Sequence, residues 1–79
     1  MNQWAAYRND QQLVGAVNYD LAKSVLLDHL SSEADNALDN NDLPTRAAAD
    51  DAWAELEPQH NTAFEWDVNG VVYALRLSP

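Results

Sequence analysis

The clearest pattern of apolar and polar positions lies at the C-terminal end of the chain. Residues 62–68 and 71–77 flank the dipeptide Asn69-Gly70. Asn-Gly provides the two positive φ angles of a type I′ turn, so it predicts a β-hairpin with a defined register. Six apolar side chains then share one side of the ribbon, as three cross-strand pairs: Phe64 with Leu75, Trp66 with Tyr73, and Val68 with Val71.

A second pair of short apolar segments lies at the N-terminal end. Residues 3–8 and 12–17 flank a polar quartet over 9–12, whose Asn and Asp accept turn geometry, so we expect another β-hairpin. A helix through residues 4–14 is the competing interpretation. Gly15 and the β-branched Val14 and Val17 favour a strand for the second half, and the register of this hairpin stays open.

The segment that follows has the apolar content of a buried helix. Asn18 or Asp20 is placed to cap its start. Between residues 21 and 30 the apolar side chains occupy most of the helix circumference, so we expect this part to be the central core helix. Ser31 and Ser32 compete for backbone hydrogen bonds, and the pattern leaves open whether the helix breaks there.

The second half of this segment separates an apolar face from an acidic face. Apolar residues recur at i, i+3, i+7 and i+11 from Leu27 to Leu38, which is the spacing of one helical stripe. Three acids lie together on the opposite side: Asp28, Asp35 and Asp39. One face is therefore expected to pack and the other to stay in water.

A loop over residues 40–44 is expected next, because Asn-Asn-Asp favours turns and the residue before Pro44 is disfavoured in a helix. Thr45 is expected to cap a second helix over 46–57, which Pro58 ends. Trp53 is the predicted anchor of its apolar stripe, which comprises Ala49, Ala52, Trp53 and Leu56. The acids lie off that stripe, with Asp51 and Glu55 predicted directly opposite and Asp50 and Glu57 along one flank.

Hairpins at both ends and helices between them give the order ββααββ. We therefore predict an α+β fold, a two-layer sandwich in which an antiparallel sheet of about four strands carries two helices on one face. At 79 residues the chain should form a single small acidic domain over residues 1–79. The absence of cysteine, of a basic leader and of a long apolar run favours a cytoplasmic protein.

Charge is concentrated in the middle of the chain. The segment 28–57 has nine acids and one base, Arg46, so it carries −8 of the total −9. An acidic balance disfavours direct contact with nucleic acid or anionic lipid and favours a basic partner. The competing explanation is that the acidity serves solubility or adaptation to high salt.

Catalytic and metal-binding patterns are weak. His29 has no ligand spacing around it and is expected to be a partly buried structural residue, and His60 lies in a loop with no nucleophile or carboxylate partner. The run 35–42 is rich in oxygen ligands but fails the calcium-loop pattern at Leu43 and Pro44. We therefore predict no enzyme activity, no metal and no cofactor.

In size and charge the chain resembles small acidic inhibitors of phage or mobile-element origin, such as anti-restriction and anti-CRISPR proteins. The resemblance rests on no motif, and it implies a partial nucleic-acid mimic that occupies the basic groove of a nucleic-acid-handling protein. The predicted partner-binding residues are the seven acids Asp28, Asp35, Asp39, Asp50, Asp51, Glu55 and Glu57. The alternative is an assembly module that forms a homodimer through a sheet edge or through the outer sheet face around Val72 and Ala74.

Overall fold

A computed structural model describes residues 2–78 and has the predicted ββααββ order. Four antiparallel strands form one sheet, and two helices make the second layer of an α+β sandwich. The elements are β1 (Trp4–Arg8), β2 (Gln11–Val17), α1 (Tyr19–Asp39), α2 (Leu43–Leu56), β3 (Phe64–Val68) and β4 (Val71–Leu77).

The two hairpins lie side by side in the strand order β2-β1-β4-β3. Antiparallel pairing of β1 with β4, from Trp4 opposite Leu77 to Arg8 opposite Tyr73, joins them into one sheet. The first and last strands therefore occupy the centre. α1 packs on β1, β2 and β4, while α2 packs on α1 and β3. Both helices thus present their outer faces on the side of the molecule away from the sheet.

The C-terminal hairpin has the predicted register. Phe64 pairs with Leu75, and Val68 pairs with Val71. Asn69 and Gly70 have φ angles of 51° and 96°, in keeping with the positive values that a type I′ turn requires. This local turn chemistry sets which residues pair across the two strands, and so which side chains share a face.

The N-terminal hairpin is also present, so the alternative of a helix over residues 4–14 is wrong. Its turn is the dipeptide Asn9-Asp10, with φ angles of 48° and 66°, and β2 begins one residue earlier than predicted. Irregular pairing interrupts the register on both sides of Ala6. The side chain and amide of Asn9 both bond to the backbone of Val72 at 2.8 Å, which fixes this turn against β4.

Both helices begin at side-chain caps. Asn18 Oδ1 accepts the amide of Leu21 at 2.8 Å, and α1 continues through residues 31 and 32 without a break. The predicted start of the second helix is wrong, because Asp42 rather than Thr45 is the cap and α2 begins at Leu43. Pro44 is tolerated in the first turn because the amide that it lacks would have no helical partner there.

Alanine and leucine are the commonest buried residues of the described chain. Trp4 and Tyr19 pack edge to face with ring centroids 4.9 Å apart, at one end of the core. The buried cluster also contains Ala22, Leu26, Leu30, Ala34, Ala49, Ala52, Leu56, Phe64, Val68, Tyr73 and Leu75. The small alanines on the facing helices leave room for close approach, so the larger residues of the helices are not all needed in the core.

Three apolar side chains that the pattern placed in the core are exposed. Leu21 is 47% exposed, Leu38 is 48% exposed and Trp53 is 39% exposed. Trp53 is therefore not the anchor of α2, where Ala49, Ala52 and Leu56 are the buried residues. The physical reason in α1 is that the helix is buried along one stripe only. Leu21 and Leu38 lie outside that stripe, on other sides of the helix from the buried alanines.

Candidate acidic interface

All four basic side chains have partners among the described residues. Lys23 Nζ donates to the backbone carbonyl oxygens of Glu57 and Gln59, and so crosses from α1 to the end of α2. The three arginines form ion pairs at 3.3–3.5 Å: Arg8 with Glu33, Arg46 with Asp50, and Arg76 with Glu65. Ten of the thirteen acids therefore have no ion-pair partner within residues 2–78.

The three predicted acids of α1 lie where the sequence placed them. Asp28, Asp35 and Asp39 are all exposed. At about 100° per residue they fall within about 40° of one another, on the side of the helix opposite buried Leu26 and Leu30. None of the three has an ion pair in the described chain, so this face has an unneutralised row of carboxylates.

The four predicted acids of α2 are exposed but do not form one face. With Ala49, Ala52 and Leu56 buried, the positions directly opposite the core are held by exposed alanines at 47 and 54. Asp51 and Glu55 therefore lie on one flank rather than directly opposite the core. Asp50 and Glu57 lie on the other flank, where Arg46 partly neutralises Asp50 at 3.5 Å.

Two further acids of the segment 28–57 have structural contacts instead. Glu33 accepts hydrogen bonds from Tyr73 Oη at 2.8 Å and from Arg8 Nη2 at 3.3 Å, and its side chain is 19% exposed. Burial raises the pKa of Tyr73, a shift that Arg8 opposes and Glu33 reinforces. Asp42 caps α2, accepting from the amide and hydroxyl of Thr45. These two acids hold the fold together and are not free for a partner.

Two of the acids, Asp39 and Glu55, sit at the unfavourable C-terminal ends of the helices. The C-terminal end of a helix carries a partial negative charge, so acids there cost stability and bases there add it. The last turn of α1 contains Asp39 and no base, and the last turn of α2 contains Glu55 and no base. At the end of α2, Lys23 from α1 offsets this cost by donating to the carbonyls of Glu57 and Gln59, whereas the last turn of α1 has no such base.

Exposed apolar side chains accompany these acids on the helical layer. They are Leu21, Leu38, Leu43 and Trp53, with exposed fractions from 39% to 62%. Sequence reasoning assigned three of them to the core and gave Leu43 only a place in a loop. The signal that could have found Leu43 is its position beside Pro44 at the end of an acidic run, outside any apolar stripe.

Two open clefts on the described surface are each lined by a histidine. His29 is exposed, not partly buried as predicted, and it lines a cleft of about 360 Å³ with Arg8, Glu33 and Tyr73. His60 lines the second cleft and packs edge to face on Tyr19, with the two ring centroids 5.9 Å apart. Within residues 2–78 no three His, Asp or Glu side chains are arranged to hold a metal ion. Neither cleft therefore offers a metal centre built from these groups.

Comparisons with protein-family models, with curated proteins and with solved structures returned no match. In the part of the chain that is described, neither helix has the length and apolar content needed to cross a membrane. The structure is therefore an acidic α+β sandwich whose carboxylate-rich helical layer is the candidate site.

Proposed function

We propose that this protein is a non-enzymatic, cytoplasmic binding protein that docks its acidic helical layer on the basic, nucleic-acid-binding surface of a protein partner and so blocks it. The single observation that carries this proposal is the row of exposed, unneutralised carboxylates Asp28, Asp35 and Asp39 on the face of α1 that points away from the sheet. Such a row attracts a basic groove over a distance of about one Debye length, roughly 8–10 Å.

The charge density supports a docking face rather than a copy of a duplex. Asp28 and Asp39 are separated by about 16 Å along the helix axis, at about 1.5 Å per residue. Duplex DNA carries one charge per about 1.7 Å, so the same length of duplex would carry about nine charges where this row carries three. The protein is therefore proposed to be a partial mimic, in the manner of anti-restriction and anti-CRISPR inhibitors.

The second candidate is a homodimer formed through the sheet. In its favour, the face of the sheet away from the helices has no covering layer in the described chain, and β2 and β3 are edge strands. Against it, Ala74 is only 1% exposed and Arg76 already covers the Tyr7 ring at 5.2 Å. Glu65 and Asp67 also place like charges along β3, which opposes pairing of two copies there. A mass that rises with concentration in light scattering would favour the dimer.

The test of the docking proposal is capture from lysate followed by elution in graded salt. Wild-type protein should retain a basic partner that elutes early and steeply as ionic strength rises, because exposed charges are screened by salt. Two double variants, Asp28→Lys with Asp35→Lys and Asp51→Lys with Glu55→Lys, should each reduce capture and flatten the salt dependence. They test the α1 row and one flank of α2 separately.

The control is Glu65→Lys with Asp67→Lys, which makes the same change of charge on β3 and leaves the helical layer intact, although it removes the Arg76 ion pair and the acceptor of the Gly70 amide. Circular dichroism verifies that each variant is folded. If the control reduces capture as much as the helix variants do, net charge rather than the helical layer is responsible, and the proposal is wrong. Unchanged capture by both helix variants would also contradict it.

A further inference from the structure

The connection between the two helices presents two exposed leucines. Leu38, in the last turn of α1, is 48% exposed, and Leu43, the first residue of α2, is 62% exposed. Asp35 and Asp39 lie one turn before and one residue after Leu38, and both are exposed. We call these four residues, Asp35, Leu38, Asp39 and Leu43, the α1–α2 corner.

The corner has an ordered backbone. The amide of Asp42 donates to the Ala37 carbonyl at 2.7 Å and the amide of Asn41 donates to the Leu38 carbonyl at 3.1 Å, with Asn41 at a φ of 60°. This is the Schellman arrangement that ends helices. Asn69 Nδ2 also donates to Thr45 Oγ1 at 2.8 Å, which ties the start of α2 to the β3–β4 turn. Little ordering entropy is therefore lost when a partner contacts the two leucines.

The charge around the two leucines is negative. The last turn of α1 contains no base, and the partial negative charge of the helix C-terminus adds to Asp39. Arg46, in the first turns of α2, is engaged by Asp50 at 3.5 Å. An apolar centre with an acidic rim fits a surface in which an apolar side chain is flanked by lysine or arginine.

We propose that the α1–α2 corner is the apolar centre of the docking surface and takes a basic amphipathic segment of the protein partner. An apolar side chain of that segment packs on Leu38 and Leu43, and its bases lie beside Asp35 and Asp39. This inference rests on the proposed function. It adds that the two leucines supply binding affinity, whereas the acids steer the partner to the surface. A second copy of this chain does not fit, because it would bring the same acids together.

The test uses two synthetic peptides as probes. The first has leucine and lysine patterned as an amphipathic helix, and the second has the same lysines with every leucine replaced by serine. Methyl-labelled protein is titrated with each peptide and followed by NMR. We expect the leucine peptide to bind about tenfold more tightly and to shift the methyl signals of Leu38 and Leu43, because only it can bury them.

The double variant Leu38→Ser with Leu43→Ser should lower the affinity for the leucine peptide to that of the serine peptide. Both side chains are largely exposed, so the variant should fold. The matched control is Leu21→Ser, which removes a leucine of 47% exposure from the other end of the same helix and should change nothing.

Each other outcome overturns the proposal in a distinguishable way. If the serine peptide binds as tightly as the leucine peptide, and the Asp28→Lys, Asp35→Lys variant weakens both, the corner is not an apolar anchor while the acidic docking face stands. If Leu21→Ser lowers the affinity for the leucine peptide as much as the corner variant does, any exposed leucine contributes to binding and the corner is not a specific site. If neither peptide binds at low salt, both the corner and the acidic docking face are wrong.

Discussion

The hydroxyl of Tyr73 donates a 2.8 Å hydrogen bond to Oε1 of Glu33 and so joins a central strand of the sheet to the middle of α1. Arg8 completes the contact, with Nη2 3.3 Å from Glu33 and Nε 3.2 Å from the Tyr73 hydroxyl. One of the acids in the charged segment is therefore part of the link between the layers. This separates acids that stabilise the fold from acids that are free to meet a partner.

Replacing Glu33 by alanine should lower the free energy of unfolding by about 1–3 kcal/mol, because the Tyr73 hydroxyl and Arg8 lose a shared acceptor in a partly buried position. Asp35→Ala, two residues further along the same helix and fully in water, should change it by less than about 0.5 kcal/mol. Urea denaturation followed by circular dichroism measures both. Equal effects of the two substitutions would show that the contact does not stabilise the fold.

Removing the hydroxyls of the two buried tyrosines should affect stability differently. Tyr73→Phe loses its bond to Glu33 and should cost about 0.5–1.5 kcal/mol. The Tyr19 hydroxyl is buried, and within residues 2–78 no group meets hydrogen-bond geometry with it, although the nearby Thr62 backbone lowers its pKa against the larger effect of burial. Tyr19→Phe should therefore be neutral or stabilising by about 1 kcal/mol, since an unpaired buried polar group is removed. Destabilisation by Tyr19→Phe in urea melts would contradict this.

Alkaline pH should destabilise the protein through the same two phenols. Burial raises the pKa of Tyr73 and of Tyr19 above the ordinary value of 10.0, so the folded state favours the neutral form. The stabilisation that comes from keeping the two phenols neutral is fully present below pH 10. It is lost as the pH rises through the higher pKa of the folded state, because the phenols of the unfolded chain ionise first. Urea midpoints between about pH 9 and 11 should fall less steeply for Tyr73→Phe than for wild type; parallel curves would exclude Tyr73 as a cause.

The acid in the last turn of α1 should cost stability. Asp39→Asn removes a negative charge from the helix C-terminus and should raise the free energy of unfolding by about 0.3–1 kcal/mol. Asp20→Asn, in the first turn of the same helix, removes a favourable charge and should lower it by a similar amount. Thermal melts at low salt measure both changes. Destabilisation by Asp39→Asn would show that this acid has a structural contact.

The cap of α2 should depend on the oxygens of Asp42 more than on its charge. Asp42→Ala removes the acceptors for the Thr45 amide and hydroxyl and should cost about 0.5–2 kcal/mol, whereas Asp42→Asn keeps one oxygen acceptor for the amide and should cost less. Urea denaturation of the two variants gives the comparison. If Asp42→Asn costs as much as Asp42→Ala, the bond from the Thr45 amide to the Asp42 oxygen is not what stabilises the start of α2.

Local chemistry was enough to predict the C-terminal hairpin but not the start of α2. Asn69 and Gly70 dictate their own turn, and the pairing of Phe64 with Leu75 follows from it. At Pro44 two local rules competed, one that breaks a helix before proline and one that allows proline in the first turn. In the structure Asp42 caps the helix, so Pro44 lies in its first turn, as the second rule allows. The residues around the loop did not show which rule would apply.

The candidate site was predicted in part. The α1 acids lie opposite the buried stripe, as helical periodicity requires, since both sets belong to one helix. The acids of α2 were predicted relative to a stripe that included Trp53. Because Trp53 is exposed, the buried face of α2 is centred on Ala49, Ala52 and Leu56 instead. Relative to that face the acids lie on two separate flanks. Leu38 was likewise assigned to the core because periodicity alone does not tell how wide a face the neighbouring layer covers.

The sequence by itself determined the order of elements, the C-terminal register and the acidic side of α1, because turns and helices depend on neighbours a few residues apart. Only the tertiary structure decided that β1 and β4 meet at the centre of the sheet, that Glu33 is bound by Tyr73 and Arg8, and that Leu38 and Leu43 stay exposed. These features join residues up to 73 positions apart, as Trp4 and Leu77 are, or depend on how far one layer covers another. No local pattern contains that information.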